Sequence, residues 1–222
     1  MRVAVFDAET APNVQLLDLA LSAARERAEA RGEDPGEIDP ETVRKEMALS
    51  PVFGRIVAVG LLDADFPDGP HVLVGDDERE LLEFFWVMAE GFDLYISWNG
   101  LGFDLPWLYV RSMVLGIEPT VRISTARFRR PGESNHLDLF ALLTDWRGNR
   151  SKHLRLDLAT VARALGVESP VGDGADVPAL WEKGDYDSIR KHLESDLRAT
   201  LGIWRALRCP GVPVAAMVGR VF

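Results

Sequence analysis

The chain has 222 residues, 47% of them hydrophobic, and a formal net charge of −10. Such a chain can bury the core of one large domain. Cys209 is its single cysteine, which excludes an internal disulfide and a multi-cysteine zinc site and fits a reducing cytoplasm. No run approaches the roughly 20 apolar residues of a membrane span, and the N-terminus carries no secretion signal, so we expect a cytoplasmic protein without membrane contact.

Positive charge is concentrated between Arg122 and Arg155. This segment holds eight arginines and lysines against three acidic residues, so its net charge is +5 and that of the remainder is −15. A basic lobe beside an acidic site could hold a polyanion while the acids hold metal ions. The alternative interpretation is a solvated loop.

The first part of the chain predicts a strand, a helical insertion and a strand pair. The first strand is "RVAVFD", and residues 13–31 repeat apolar side chains at helical spacing. A loop is predicted at "RGEDPGEIDPE", and residues 11–50 together are expected to form a helical insertion. Two antiparallel strands are then predicted at "RIVAVGLLD" and "HVLVG".

Strands and helices alternate in the rest of the chain. We predict a helix at "DDERELLEFFWVMAEG", a strand at "DLYISW" and a helix at "DLPWLYVRSMVLG". Two more helices are predicted at "HLDLFALL" and "LDLATVARALG", and a long one from about Ser188 to Arg208. This order indicates an α/β fold in one domain over residues 1–222, with a mixed sheet of about five strands flanked by helices.

Asp7 and Glu9 follow the apolar run "VAVF". Residues two apart on a strand point the same way, so the two carboxylates project together where the strand leaves the core. Such a pair repels and is poorly solvated, and a hard divalent cation such as Mg²⁺ or Mn²⁺ would neutralise it. The alternative is an exposed strand end with two solvated acids.

Acidic residues and one histidine stand at two later positions. Asp104 lies between a predicted strand and a predicted helix, near the carboxyl end of the sheet, where sites tend to form; helix capping is the alternative. His192 and Asp196 share one face of the last helix, and a weak surface pair is the alternative. Asp138 and Asp157 each precede a helical run and are expected to cap it.

Three segments, "FDAET", "NGLGFDLPWL" and "HLESDLRAT", resemble in this order the three motifs of the DEDD superfamily of DnaQ-like 3′-5′ exonucleases. The closest likeness is to predicted exonucleases related to the proofreading domain of family B DNA polymerases, and "ALSPVFGRIVAVGL" resembles their second-strand region. The resemblance covers nearly the whole chain. It implies a ribonuclease H-like fold and the release of nucleotides from the 3′ end of single-stranded DNA or RNA by two-metal-ion hydrolysis.

The resemblance also assigns residues to this reaction. Asn99 and Phe103 match positions that contact the terminal nucleotide, although Phe103 could equally be a core aromatic, and Thr10 is expected to contact the 3′ end. His192 stands where one branch of the superfamily carries tyrosine, and we expect it to orient or deprotonate the attacking water. Four carboxylates are expected to hold two divalent cations, Mg²⁺ or Mn²⁺: Asp7, Glu9, Asp104 and Asp196.

Two other functions remain open at this point. The first is a degenerate exonuclease-like domain that binds nucleic acid or a partner without cutting. The second is a different metal-dependent phosphoesterase on an α/β fold. The sequence favours neither DNA nor RNA and indicates no oligomeric state, and we expect no attached polymerase domain.

Overall fold

The computed structural model describes residues 1–126, 134–144, 148 and 154–207, and it is organised around a five-stranded mixed sheet. The strands are β1 (Val3–Pro12), β2 (Gly54–Asp63), β3 (His71–Val74), β4 (Leu94–Ser97) and β5 (His136–Asp138). Their order across the sheet is β3-β2-β1-β4-β5. The pairs β3-β2 and β2-β1 are antiparallel, whereas β1-β4 and β4-β5 are parallel. The predicted α/β fold with a mixed five-stranded sheet is confirmed.

Helices cover both faces of this sheet. They are α1 (Leu17–Arg31), α2 (Pro40–Met47), α3 (Glu78–Ala89), α4 (Asp104–Leu115), α5 (Leu139–Leu143), α6 (Leu158–Ala164), α7 (Val177–Glu182) and α8 (Tyr186–Leu207). Side chains of β1 alternate between two cores: Phe6 packs with α3 and α4, and Val5 packs with α6, α7 and α8. The central strand is therefore buried on both faces. Among the described helices, none combines the length and the hydropathy needed to cross a bilayer.

Strand β1 extends further than the sequence suggests. It pairs with β2 from Ala4 to Pro12, but with β4 only from Val3 to Val5. Asp7 and Glu9 therefore lie inside the strand, beyond the last residue that pairs with β4. The expectation that they stand where the strand ends is corrected in this respect, because β2 continues to supply hydrogen-bonding partners after β4 stops.

Helix α8 crosses the sheet close to this position. A methyl group placed at Gly60 of β2 would come within 2.8 Å of the Leu197 side chain and 3.1 Å of that of Leu193. Gly60 pairs directly with Asp7 in the antiparallel register. The absence of a side chain at Gly60 thus lets α8 approach the strand pair next to Asp7.

The segment between β1 and β2 holds α1 and α2, which pack around a small apolar cluster that includes Ala20, Val43 and Met47. The predicted loop "RGEDPGEIDPE" runs into α2, which begins at Pro40. Asp39 caps this helix by accepting hydrogen bonds from the backbone N–H groups of Glu41 and Thr42.

Two other predictions are corrected or lie outside the described residues. The first three residues of "HLDLFALL" form β5 instead of helix, because they pair with Tyr95, Ile96 and Ser97 of β4. Helix α8 begins at Tyr186, two residues before the expected start. Cys209, Arg208 and six of the eight basic residues between Arg122 and Arg155 lie outside the described residues, so the basic lobe stays a prediction.

Candidate functional site

Asp7 and Asp104 meet beside the open edge of β1. Asp104 is the first residue of α4, and its Oδ1 accepts a hydrogen bond from the Ala8 backbone N–H at 3.0 Å. It follows the N-cap position, which Phe103 occupies, so the capping interpretation does not describe it. The Asp104 side chain is therefore anchored to β1.

The pKa values of this aspartate pair are raised. Burial, and then the charges of Asp104 and Glu9, raise the pKa of Asp7 well above its usual range. Burial raises the pKa of Asp104 to about 7, although its hydrogen bonds with Asp7 and with the β1 backbone oppose the shift. Two carboxyl groups so close and so poorly solvated share a proton near neutral pH unless a cation neutralises them.

Glu9, His192 and Asp196 form the other half of the site. Their ligand atoms all lie within 4.8 Å of one another. The imidazole Nε2 of His192 is 3.2 Å from Glu9 Oε1, and its Nδ1 is 3.6 Å from Asp196 Oδ1. Carboxylate oxygens at this spacing, with one imidazole nitrogen, suit a divalent cation such as Mg²⁺ or Mn²⁺.

Opposite charges surround His192 and change its protonation. Burial lowers the pKa of His192, but the hydrogen bond to Glu9 and the charges of Glu9 and Asp196 outweigh it and raise the pKa to about 9. Burial raises the pKa of Asp196 to about 7, against the charge of His192. In this arrangement both ring nitrogens of His192 act as donors, Nδ1 towards the Val171 carbonyl and Nε2 towards Glu9.

A glycine-containing loop holds His192 in place. His192 Nδ1 donates to the Val171 carbonyl at 2.6 Å, and the Val171 N–H donates to Ser195 Oγ at 2.8 Å. Ser195 Oγ in turn donates to the His192 carbonyl at 2.7 Å. Gly172 has φ +85°, and a side chain there would come within 3.3 Å of His192 Nδ1. Residues 171–174, which we name the VGDG loop, therefore pack directly on the imidazole.

The sequence analysis did not identify this loop. Its signal was present as two glycines separated by an aspartate, Gly172 and Gly174, just before the last helices. Glycines in a polar segment also occur in ordinary turns, so the pattern alone does not indicate contact with His192.

The carboxylates line a cavity of about 370 Å³. Asn99 and Phe103 also line it, as their assignment to the terminal nucleotide requires. Thr10 is buried and is not among the residues that line it, and its hydroxyl donates to the Ala48 carbonyl at 2.7 Å. A larger cavity of about 680 Å³ lies between α1 and α2 and contains none of the predicted site residues.

Other side chains that the sequence analysis did not assign to the site line the same cavity. Trp98 follows β4, Phe140 lies in the first turn of α5, and Arg155 precedes α6. The Arg155 side chain is 83% exposed and lies 3.5 Å from Asp157. The cavity is thus lined by both carboxylates and aromatic rings.

The two aspartates expected to be caps do cap their helices. Asp138 accepts from the Ala141 N–H of α5 at 3.0 Å, and Asp157 accepts from the Thr160 N–H of α6 at 2.7 Å. Asp138 has a second role, because it also accepts from the backbone N–H groups of Asn99 and Leu101. It therefore ties α5 to the turn that precedes α4.

Comparisons with known proteins point to one family. A family model described as a predicted 3′-5′ exonuclease related to the exonuclease domain of PolB matches residues 49–210. DNA polymerase 1 of Aeropyrum pernix is 30% identical over an alignment of 154 residues, and the match covers 64% of this chain and 15% of that polymerase.

A solved structure shows the same fold. The family B DNA polymerase from the hyperthermophilic archaeon Pyrobaculum calidifontis matches 93% of this chain and 24% of its own, with a TM-score of 0.61 and 20% sequence identity. This likeness confirms the ribonuclease H-like α/β fold that the motifs imply. The chain spans only a small part of the length of both polymerases.

Proposed function

The chain belongs to the family of predicted 3′-5′ exonucleases related to the exonuclease domain of PolB, and from this membership we propose that it is a metal-dependent 3′-5′ exonuclease. It would release nucleotides from the 3′ end of single-stranded DNA or RNA in the cytoplasm. One observation carries the proposal: four acidic side chains from β1, α4 and α8 converge with His192 on one cavity. The raised pKa values of this buried group support a site built for cations.

The donor set fits divalent cations. The charges of Asp104, Glu9 and Asp196 all act on Asp7, so a bound cation would relieve repulsion among these carboxylates. Bound Mg²⁺ or Mn²⁺ ions would offset the charges of the carboxylates and the phosphate and lower the pKa of a water molecule. The proposed ligands are Asp7, Glu9, Asp104 and Asp196.

His192 is proposed to orient the attacking water. Its Nδ1–H is held by the Val171 carbonyl, so Nε2 is the nitrogen that faces the carboxylates. Once positive charge offsets Glu9, Nε2 can release its proton and then accept one from water. Hydrolysis forms a phosphorus–oxygen bond to water and breaks the bond to the 3′-oxygen, which takes up a proton. The products are a nucleoside 5′-monophosphate and a shortened strand with a free 3′-hydroxyl.

Substrate contacts are proposed along the same cavity. Asn99 and Phe103 would contact the terminal nucleotide, and the exposed Arg155 would contact a phosphate at the rim. The Thr10 hydroxyl is already donated to a carbonyl, so Thr10 would reach the 3′ end only through its backbone.

A nuclease assay tests the proposal. Wild-type protein is incubated with 5′-labelled single-stranded DNA or RNA in Mn²⁺, Mg²⁺ or EDTA, beside Asp7→Ala and the exposed control Asp68→Ala. We expect a ladder of shortened 5′-labelled products from wild type and Asp68→Ala that needs metal, and none from Asp7→Ala. If wild type and Asp7→Ala are equally inert while strands still bind, the degenerate alternative holds. Cutting of closed circles would instead indicate the other phosphoesterase class.

A further inference from the structure

We propose that Trp98 and Phe140 form a stacking site for a second nucleobase, next to the terminal base that Phe103 contacts. This inference rests on the proposed exonuclease function and extends it, because it assigns a contact to a base upstream of the bond that is cut.

The rings of Trp98 and Phe140 lie against each other at the cavity of the candidate site. Their centroids are 5.7 Å apart and their planes meet at 60°, in an edge-to-face arrangement. Trp98 packs partly against the core below, and both rings are only partly buried. Both line the cavity that contains Asp7 and Asp196. A ligand in this cavity would therefore contact an aromatic surface.

The Asp138 carboxylate binds the backbone next to both rings. Its side chain is 1% exposed and accepts from the backbone N–H groups of Asn99 at 3.1 Å and Ala141 at 3.0 Å. Trp98 precedes Asn99 and Phe140 precedes Ala141, so one carboxylate fixes the backbone next to each ring. A buried carboxylate is costly unless hydrogen bonds satisfy it, and these bonds also preorganise the two rings.

The charge of the cavity favours stacking as a means of binding. Carboxylates line the same cavity, so its described lining offers few contacts that attract phosphates while no cation is bound. Apart from His192, Arg155 is the only basic side chain among the described residues that line the cavity. A base stacked on an aromatic face gains affinity without positive charge and without sequence preference. Such a base must be unpaired, which agrees with a single-stranded substrate.

Abasic substrates test the site. Single-stranded oligomers carry one abasic residue either at the 3′ end or one position before it, and kcat/KM for release of the first nucleotide is measured in Mn²⁺. We expect wild type to lose about 5- to 150-fold on the second-position substrate. Trp98→Ala should be slow on the intact strand and lose little more on that substrate, whereas Trp98→Phe restores the wild-type response. Phe66→Ala, at an exposed aromatic outside the cavity, is the control.

The outcomes separate this site from the proposed function. Metal-dependent cutting by wild type, with an unchanged second-position penalty in Trp98→Ala, overturns the stacking site and leaves the exonuclease intact. If neither wild type nor any variant cuts, the proposed exonuclease function is wrong. The stacking site is then tested by fluorescence anisotropy, which measures binding of the same labelled oligomers in Ca²⁺. A weaker binding of the second-position abasic oligomer by wild type that disappears in Trp98→Ala supports the stacking site, and one that remains in Trp98→Ala overturns it. If Trp98→Ala unfolds, the kinetic and binding measurements are made with Phe140→Leu, for which the same outcomes apply.

Discussion

His192 Nε2 lies 3.2 Å from Glu9 Oε1, while Nδ1 of the same ring donates to the Val171 carbonyl at 2.6 Å. A backbone carbonyl only accepts, so the proton on Nδ1 is committed and Nε2 faces the acidic cluster. Without a divalent ion, a second proton on this ring neutralises part of the charge of Glu9 and Asp196. Protonated His192 and a bound cation thus serve the same electrostatic purpose, and each disfavours the other.

Removal of the imidazole should therefore lower catalysis more than binding. We expect His192→Ala to reduce kcat by about 10- to 100-fold with a smaller change in KM, since the water loses its positioning group. The matched control is His71→Ala, at an exposed position on the edge strand β3. Steady-state kinetics on a single-stranded oligomer in Mn²⁺ measure the effect, and equal activity of both variants would rule out a role for His192.

Stability without metal should fall as the pH rises. The pKa values of Asp104 and Asp196 are raised from 3.8 to about 7 and that of His192 from 6.5 to about 9. The native state therefore binds more protons than the unfolded state between about pH 5 and 9, so the free energy of unfolding decreases over this range.

Urea unfolding in EDTA at several pH values measures this decrease. Mg²⁺ or Mn²⁺ should counteract it, because a cation replaces the lost protons and binds only the native state. The stabilisation by metal is therefore expected to be larger at pH 8 than at pH 5.5. A metal-free stability that rises across this range would show that the buried acidic group does not control it.

Asp104→Asn should separate stability from activity. The amide keeps an oxygen that can accept from the Ala8 N–H, but it removes one charge from the crowded site. We expect higher metal-free stability at pH 8 and a loss of nuclease activity of about 10³-fold, because several kcal/mol of cation-dependent stabilisation is lost. Asp68→Asn, on the exposed turn between β2 and β3, should change neither property. Loss of stability together with activity would indicate a structural role for Asp104.

The acidic half of this site follows from local sequence rules. Asp7 and Glu9 face the same way because strand side chains alternate, and His192 and Asp196 share a helix face because they are four residues apart. Asp104 follows from its place between a strand and a helix. Each of these relationships depends only on neighbouring residues, so the sequence suffices to predict it.

The parts that the sequence did not predict depend on distant contacts. Three residues of "HLDLFALL" become β5 because β4 offers a parallel partner, although the segment itself has a helical pattern. Val171 contacts His192, 21 residues later in the chain. Asp138 looks like a simple helix cap, yet it also binds the turn at Asn99, 39 residues earlier. Local patterns carry no information about such partners.

Ser195 should affect catalysis because it holds the VGDG loop against His192. In Ser195→Ala, the Val171 N–H loses its acceptor, so the loop that holds His192 loosens. We expect about 10-fold lower kcat and a loss of about 1 kcal/mol in the free energy of unfolding. Ser195→Thr retains the hydroxyl and should recover most of the activity. Ser22→Ala, on the exposed part of α1, is the control for a lost serine hydroxyl. Unchanged kcat in Ser195→Ala would exclude a positioning role.

Arg111 and Glu78 should be the most important ion pair for stability among the described residues. Their side chains are 6% and 8% exposed, and two nitrogens of Arg111 donate to the two oxygens of Glu78 at 2.8 and 2.7 Å. Glu78 also accepts from the Ile56 N–H of β2 at 2.7 Å, so the pair joins α3 and α4 to the sheet. In Arg111→Met, this carboxylate would remain buried without its charged partner.

We therefore expect Arg111→Met to lower the free energy of unfolding by about 3–5 kcal/mol in urea titrations. The control is Arg198→Met, which removes an exposed partner of Glu194 and should cost less than about 1 kcal/mol. Adding Glu78→Gln to Arg111→Met should recover part of the loss, because the unpaired charge is gone while an acceptor for Ile56 remains. If Arg111→Met and Arg198→Met lower the free energy of unfolding equally, burial does not make the Arg111–Glu78 pair more important for stability.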